Sequence, residues 1–180
     1  SDNKILVLDN DGNKIILNPN NGSYDQSTKV NCIVQDMDGE LWIGTDKGIK
    51  VAYNIADIFE TNDGITSTTE CQNIIYQENG IAQYLLNFEN VTCMMIDGGN
   101  RKWVGTERNG IYVLSPSGDE QLYHFTAENS PLISNRVLCM AQNGLNGEVF
   151  IGTDRGIVSY RAESIKGMSE AGKLTAFPNP

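Results

Sequence analysis

Residues 30–53 read VNCIVQDMDGELWIGTDKGIKVAY. The stretch joins a β-branched run, a turn at Asp36–Gly39, a Trp close to a Gly-Thr pair, and a second turn at Asp46–Gly48. Read alone, it offers a metal loop on Asp36 and Asp38, or a stacking surface at Trp42. The chain states the pattern three times, however. Val91 to Leu114 reads VTCMMIDGGNRKWVGTERNGIYVL, and Val137 to Tyr160 reads VLCMAQNGLNGEVFIGTDRGIVSY. Each copy opens Val-x-Cys. A polar turn with Gly follows, then an aromatic (Trp42, Trp103, Phe150), Gly-Thr, a charged turn and Gly-Ile.

The spacing of the copies indicates an architecture. Val91 and Val137 are 46 residues apart, and Val30 and Val91 are 61 apart. Strand-built repeats of about 40–50 residues are the signature of propeller blades. The local pattern agrees independently. Short apolar runs are punctuated by Gly, Asp and Asn, and no long stretch holds a 3.6-residue period. Only ADIFE (56–60) and AESIKGMSEAG (162–172) could hold a helical turn. Each repeat supplies three strands, and the spacer should supply a fourth. LYHFT (122–126) is that strand in the second repeat. KILVLDNDGNKIILNPN at the N-terminus fits the third and fourth strands of an earlier blade. The fold class is therefore all-β, with about three and a half four-stranded blades of a partial β-propeller, since closed rings have 4–8. The chain opens in mid-pattern and reads as a piece of a larger protein. The spacer 54–90 reads as an elongated outer hairpin turning at Asn79-Gly80, a pair suited to a type I′ turn, or as an insertion that makes a partner contact.

Bulk composition narrows the partners. Thirteen Lys and Arg against 23 Asp and Glu give a net charge of −10 in 180 residues. Nucleic acid and anionic membrane surfaces repel such a chain. No apolar run reaches the roughly 18 residues of a membrane span.

Candidate chemistry is weighed against the repeat. Asp36, Asp38 and Gly39, like Asp9, Asp11 and Gly12, lack the ligand spacing of a calcium loop. The other copies have Asp97-Gly98-Gly99-Asn100 and Asn143-Gly144 with Asn146-Gly147, so turn character persists while carboxylates fall away. Neither a metal nor a cofactor is expected. Trp42, Trp103 and Phe150 recur in every unit and are expected to pack between blades. Cys32, Cys93 and Cys139 share one register position. Packed sheets lie about 10 Å apart, too far for a disulfide, so these three and Cys71 are expected as free thiols, the repeated ones small and buried. His124 is the only histidine. It is expected on an outer strand, partly exposed, and no nucleophile-elbow motif accompanies it. The remaining candidates are the charged turns Asp46-Lys47, Glu107-Arg108-Asn109 and Asp154-Arg155, which should gather at one mouth of the propeller channel as a ligand or partner site.

The repeat VxCIxQDxDGxLWIGTxxGI resembles the two-component-regulator propeller repeat of Bacteroidetes. Residues 97–115, 124–137 and 147–164 are similar to the last blades of the second propeller of PorZ-like type IX secretion proteins, and KLTAFPNP (173–180) looks like the entry to their C-terminal sandwich. The resemblance implies a partial propeller over 1–166, with blades starting near 30, 91 and 137, and a linker over 167–180 toward a β-sandwich. It implies a non-enzymatic recognition or scaffold module of an exported protein, periplasmic or at the cell surface. In PorZ-like proteins a sortase-like partner attaches anionic lipopolysaccharide to exported cargo. The expected partners are a protein or a glycan or lipopolysaccharide, plus the rest of the propeller or another copy of the chain across the cut face. The other readings are a periplasmic glycan-sensing propeller of a hybrid two-component system, and a propeller lyase or hydrolase.

Overall fold

The computed structural model describes residues 4–18, 28–61, 67–78 and 81–161. A hairpin comes first, β1 (Ile5–Leu8) and β2 (Lys14–Asn18). The first repeat lays down β3 (Val30–Gln35), β4 (Leu41–Thr45) and β5 (Gly48–Ala52). A short helix, α1 (Ile55–Thr61), leads to the spacer strands β6 (Ser67–Glu70), β7 (Gln72–Asn73), β8 (Ile75–Glu78) and β9 (Ile81–Tyr84). The second repeat forms β10 (Val91–Ile96), β11 (Lys102–Thr106), β12 (Ile111–Leu114) and β13 (Gln121–Phe125). The third forms β14 (Val137–Gln142), β15 (Glu148–Thr153) and β16 (Gly156–Arg161).

Two repeats give four-stranded antiparallel sheets, ordered β3-β4-β5-β7 and β10-β11-β12-β13. The third gives β14-β15-β16 among the described residues. The expected fourth strand at 122–126 is β13, and the expected helical turn at 56–60 lies inside α1. The hairpin expected in the spacer forms as β8 and β9, with Glu78 opposite Ile81, but it is not joined to the blade and the rest of the spacer goes elsewhere. The spacer's strands divide among three sheets: β6 pairs parallel with β2, β7 closes the first repeat's sheet, and β8-β9 form a separate hairpin. The N-terminal hairpin forms, but β2 is a central strand because β6 covers its outer edge. Asn79-Gly80 and residues 162–180, with the expected helical turn and linker there, lie outside the described residues.

The core is a series of sheet-to-sheet interfaces. Successive side chains on a strand point to opposite faces, so Trp42 and Ile43 enter different interfaces. Ile43 packs with Ile15, Leu17, Ala52, Ile55 and Cys71 against the N-terminal sheet. Trp42, Ile49 and Val51 pack against Val91, Met94, Val104 and Leu114 of the second repeat. Trp103, Ile111 and Val113 repeat that contact onto Val137, Val149 and Ile151 of the third. Each such large side chain contributes about 1.5–3 kcal/mol by leaving water.

The Val-x-Cys and Gly-Thr signatures meet at these interfaces. Every first strand has a bulge at this point, between Val30 and Cys32, Val91 and Cys93, and Val137 and Cys139. The cysteine then lies opposite the glycine of Gly-Thr: Cys32 opposite Gly44, Cys93 opposite Gly105, Cys139 opposite Gly152. A Cβ on Gly105 would lie 2.6 Å from Cys93 Sγ and 2.8 Å from Val137 Cγ1. The glycine thus leaves room for its own blade's thiol and the next blade's valine. The bulge residue reaches across as well. Asn31 Nδ2 donates to the Val91 carbonyl at 2.9 Å, and Thr92 Oγ1 to the Val137 carbonyl at 2.6 Å.

Among the described residues, the last sheet has no such cover on its outer face. Phe150 is 42% exposed where Trp42 and Trp103 are 0% and 2%, and Ile157 is 75% exposed where Ile49 and Ile111 are 2% and 0%. The aromatic position is therefore a packing position in two repeats and an open one in the third. The thiols need the same correction. All four are free, but only Cys71 is fully buried; Cys32 and Cys93 are half-buried and Cys139 is exposed. Among the described residues, no further blade stands on Cys139.

Candidate functional site

The two ends of each blade are built by different devices. At one end, the Asp that opens the first turn organises it. Asp36 Oδ1 accepts the amides of Asp38 and Glu40 at 3.0 and 2.9 Å, and its Oδ2 accepts the Trp42 indole N–H at 3.0 Å. Asp97 repeats this with the amides of Gly99 and Arg101 and the Trp103 indole N–H. The third repeat changes both members together, to Asn143 and Phe150, which has no N–H to donate. Asp36 and Asp38 are thus turn residues. Asp36 Oδ2 also pairs with Lys102 Nζ at 2.9 Å. Among the described residues no group of three or more His, Cys, Asp or Glu is placed to hold a metal ion.

At the other end lie the candidate charged turns. The Thr of Gly-Thr fastens each one. Thr45, Thr106 and Thr153 donate from Oγ1 to the carbonyls of Gly48, Gly110 and Gly156 at 2.8, 3.0 and 2.9 Å. Those glycines have φ of 87°, 73° and 131°, the left-handed region that side chains resist. The first turn residue is tied down by its amide: Asp46 N to Lys29 O, Glu107 N to Asn90 O, and Asp154 N to Arg136 O. All three turns therefore stand at the same end, beside the connectors that enter the first strands.

The structure brings some of the seven candidates together. Glu107, Arg108 and Arg155 line a pocket of about 340 Å³ between the second and third repeats, with Glu128, Ser134 and Arg136 of the connector 126–136. Arg136 Nη2 lies 3.7 Å from Glu107 Oε1. Asn135 donates to both oxygens of Glu128, at 3.2 Å each. Bonds from Thr126 and Asn135 hold that carboxyl below its usual range. Asp46, Lys47, Asn109 and Asp154 stand outside this pocket. Asp46 Oδ1 accepts the Lys29 amide at 2.8 Å, and Asn109 Nδ2 donates to Glu89 Oε1 at 2.7 Å. His124, half-buried on the outer strand β13, stacks on Tyr112 at 4.0 Å and donates from Nε2 to the Asn109 carbonyl at 2.7 Å. It supports the turn from behind.

The pocket's connector residues Glu128 and Arg136 belong to no repeated motif, so comparison of the repeats did not mark them. The buried Lys102 could have been noticed, since it stands where the other copies have Leu41 and Val149.

Residues 25–47 match the model of the two component regulator propeller family. No curated protein sequence matches the chain. Among solved structures, PorZ, described as an essential bacterial surface component of the type-IX secretion system of Porphyromonas gingivalis, is 30% identical with a TM-score of 0.71. That match covers 91% of this chain and 20% of PorZ, so the chain spans about a fifth of that protein. The extracellular domain of the putative hybrid two component system BT3049 from B. thetaiotaomicron is 23% identical, with a TM-score of 0.56 over 89% of this chain and 20% of that one. A putative gluconolactonase is 16% identical, with a TM-score of 0.57 over 90% of this chain and 46% of its own. The last two likenesses speak to fold alone. The chain is a run of β-propeller blades that carries the two-component-regulator repeat and is similar to PorZ.

Proposed function

We propose that this chain is a non-enzymatic recognition module of an exported protein, periplasmic or at the cell surface, and that its charged-turn end is the binding face. One observation carries the reading. The side chains that recur in the repeats are already engaged in blade structure: Asp36 and Asp97 in turns, Thr45, Thr106 and Thr153 in turn closure, Trp42 and Trp103 in packing. Of the charged side chains that vary between repeats, Glu107, Arg108 and Arg155 line one pocket together with Arg136. Among the described residues, Arg108 and Arg155 have no carboxylate within ion-pair reach. Guanidinium groups bind carboxylates and phosphates in a planar fork, so the pocket suits an anionic group on a glycan or protein. The similarity to PorZ, a surface component, supports the exported setting. Among the described residues no helix is long and apolar enough to cross a membrane.

The test is calorimetric titration of the chain with polygalacturonate, neutral dextran and a poly-Glu peptide, repeated with Arg108→Gln/Arg155→Gln. Saturable binding of one anionic probe, weakened at least tenfold in the variant, is expected. Heats that are absent for all probes, or unchanged in the variant, would overturn the reading.

A further inference from the structure

The two connectors that enter the second and third repeats align by their distance from Val91 and Val137 and by a shared hydrogen bond. Gly48 N donates to the Glu89 carbonyl at 2.8 Å, and Gly110 N donates to the Asn135 carbonyl at 2.9 Å. Glu89 and Asn135 are therefore equivalent, and so are the residues before them, Phe88 and Ser134. Ser134 is half-buried at its pocket. Phe88 is 93% exposed, the most exposed of the large apolar side chains among the described residues.

The base beneath Phe88 is firmly held. Leu85 is buried, and its amide donates to the Ile74 carbonyl at 2.8 Å. Leu86 has φ 53°, a strained value for a leucine. A Cβ on Gly48 would lie 2.5 Å from the Leu86 carbonyl oxygen, so the turn is seated against the blade. Glu89 N donates to Leu86 O at 2.9 Å, and Asn109 grips the Glu89 side chain. A strained, multiply bonded turn thus presents one aromatic ring to water. Burial of Phe88 contributes nothing to the fold, and a serine serves at the equivalent place. The backbone that carries the ring is already fixed, so docking there orders the side chain alone.

We propose that Phe88 is the anchor of a protein–protein contact, and that its partner presents an apolar socket with a basic rim. The rim follows from charge. Glu89 adjoins Phe88, its carboxylate held by Asn109, on a chain of net charge −10. An anionic lipid surface is disfavoured by that charge. A small glycan is disfavoured by shape, because such ligands take concave sites and Phe88 projects. This surface lies at the junction of the first and second repeats, and its test is independent of the arginine pocket.

The experiment places p-benzoylphenylalanine at position 88, or at 134 as control, in the protein expressed in its native host. After irradiation, the adduct is identified by mass spectrometry. The identified protein is then purified and its affinity measured for the full chain, Phe88→Ser and Glu89→Gln. The expected result is one protein adduct from position 88 and not from 134. At least thirtyfold weaker binding is expected for Phe88→Ser, which keeps the native circular dichroism and melting point. A weaker loss is expected for Glu89→Gln, and it should shrink in high salt. Cross-linking only to a second copy of the chain, adducts to lipid or polysaccharide, no adduct, or an affinity within twofold for Phe88→Ser would each overturn the proposal.

Discussion

Asp36 and Lys102 form an ion pair across the interface between the first and second repeats, at 2.9 Å, with both side chains wholly removed from solvent. The ammonium group also donates to the carbonyls of Asn100 and Pro116, and it lies 4.7 Å from the Trp42 ring centroid. One residue thus ties two blades and covers the packing aromatic of the first. Removing one member of a buried pair strands the other charge, at about 3–5 kcal/mol. Lys102→Leu, the residue type at the equivalent Leu41, is expected to lose that much stability in urea unfolding. Lys102→Leu/Asp36→Asn should regain only part of it, because the side-chain oxygen of the introduced asparagine can still accept the turn amides while its NH2 cannot accept the Trp42 indole N–H. A double variant no more stable than the single would refute the coupling.

Acid should weaken the same interfaces. Burial pushes the carboxyl of Asp36 up, but Lys102, the Glu40 amide and the Trp42 indole bring it below the usual range. Asp97 is likewise pushed up by burial and brought down further by the Trp103 indole and Arg101. A lowered folded value means that the unfolded chain binds more protons in acid. Their contribution is full above the unfolded value of about 3.9 and is lost as pH falls through the folded values. Glu40 has the opposite sign. Burial, then the charge of Asp36, raises its carboxyl, so its ionised form opposes folding at neutral pH. Glu40→Gln is expected to raise the urea midpoint at pH 7 and leave it nearly unchanged at pH 3. A gain of equal size at both values would contradict the assignment.

Alanine at the repeated glycine should distinguish covered blades from the uncovered one. At Gly105 the new methyl meets Cys93 Sγ and Val137 Cγ1, both inside 3.0 Å. Overpacking of this kind costs about 1–3 kcal/mol. At Gly152 the one contact inside 3.0 Å is Cys139 Sγ, which stands on the exposed face and can swing aside. Gly105→Ala is expected to lower the melting temperature clearly more than Gly152→Ala. Cys93→Ala/Gly105→Ala should recover only part of the loss, since the valine stays. Equal shifts for the two glycines would remove the next-blade explanation.

Repetition carried most of what was legible. Three aligned copies exposed the strands, the turns and the packing role of Trp42 and Trp103, because a requirement of the unit is written in every unit. The same logic could not reach features that occur once. The spacer's division among three sheets depends on β6 meeting β2 in parallel, a pairing between segments about 50 residues apart with no turn to announce it. Four of the seven charged-turn candidates miss the pocket, because its far wall is the connector holding Glu128 and Arg136. The exposure of Phe150 and Cys139 depends on a neighbour surface and not on their own register. Lys102 and Phe88 were visible as departures from the repeat, but their burial and exposure emerged only from the packing.

Thiol reactivity should follow the same asymmetry. Burial pushes Cys32 and Cys71 up to about 11 and Cys93 up to about 12. At pH 8 a thiol of pKa about 11 is ionised to roughly one part in a thousand, and the thiolate is the species that alkylates. Access compounds the difference, because Cys71 is fully buried and Cys139 is exposed. Brief treatment of the native chain with iodoacetamide at pH 8, followed by peptide mass mapping, is expected to label Cys139 first. Cys32, Cys71 and Cys93 should follow only in urea. If a further blade or a second copy covers the face of β14–β16 in a longer form of the protein, Cys139 should become protected there while the chain alone remains reactive. Labelling of Cys32 or Cys93 as fast as Cys139 in the native chain would show that the blade interfaces are open, contrary to the packing of Val91 and Val137 over Gly44 and Gly105.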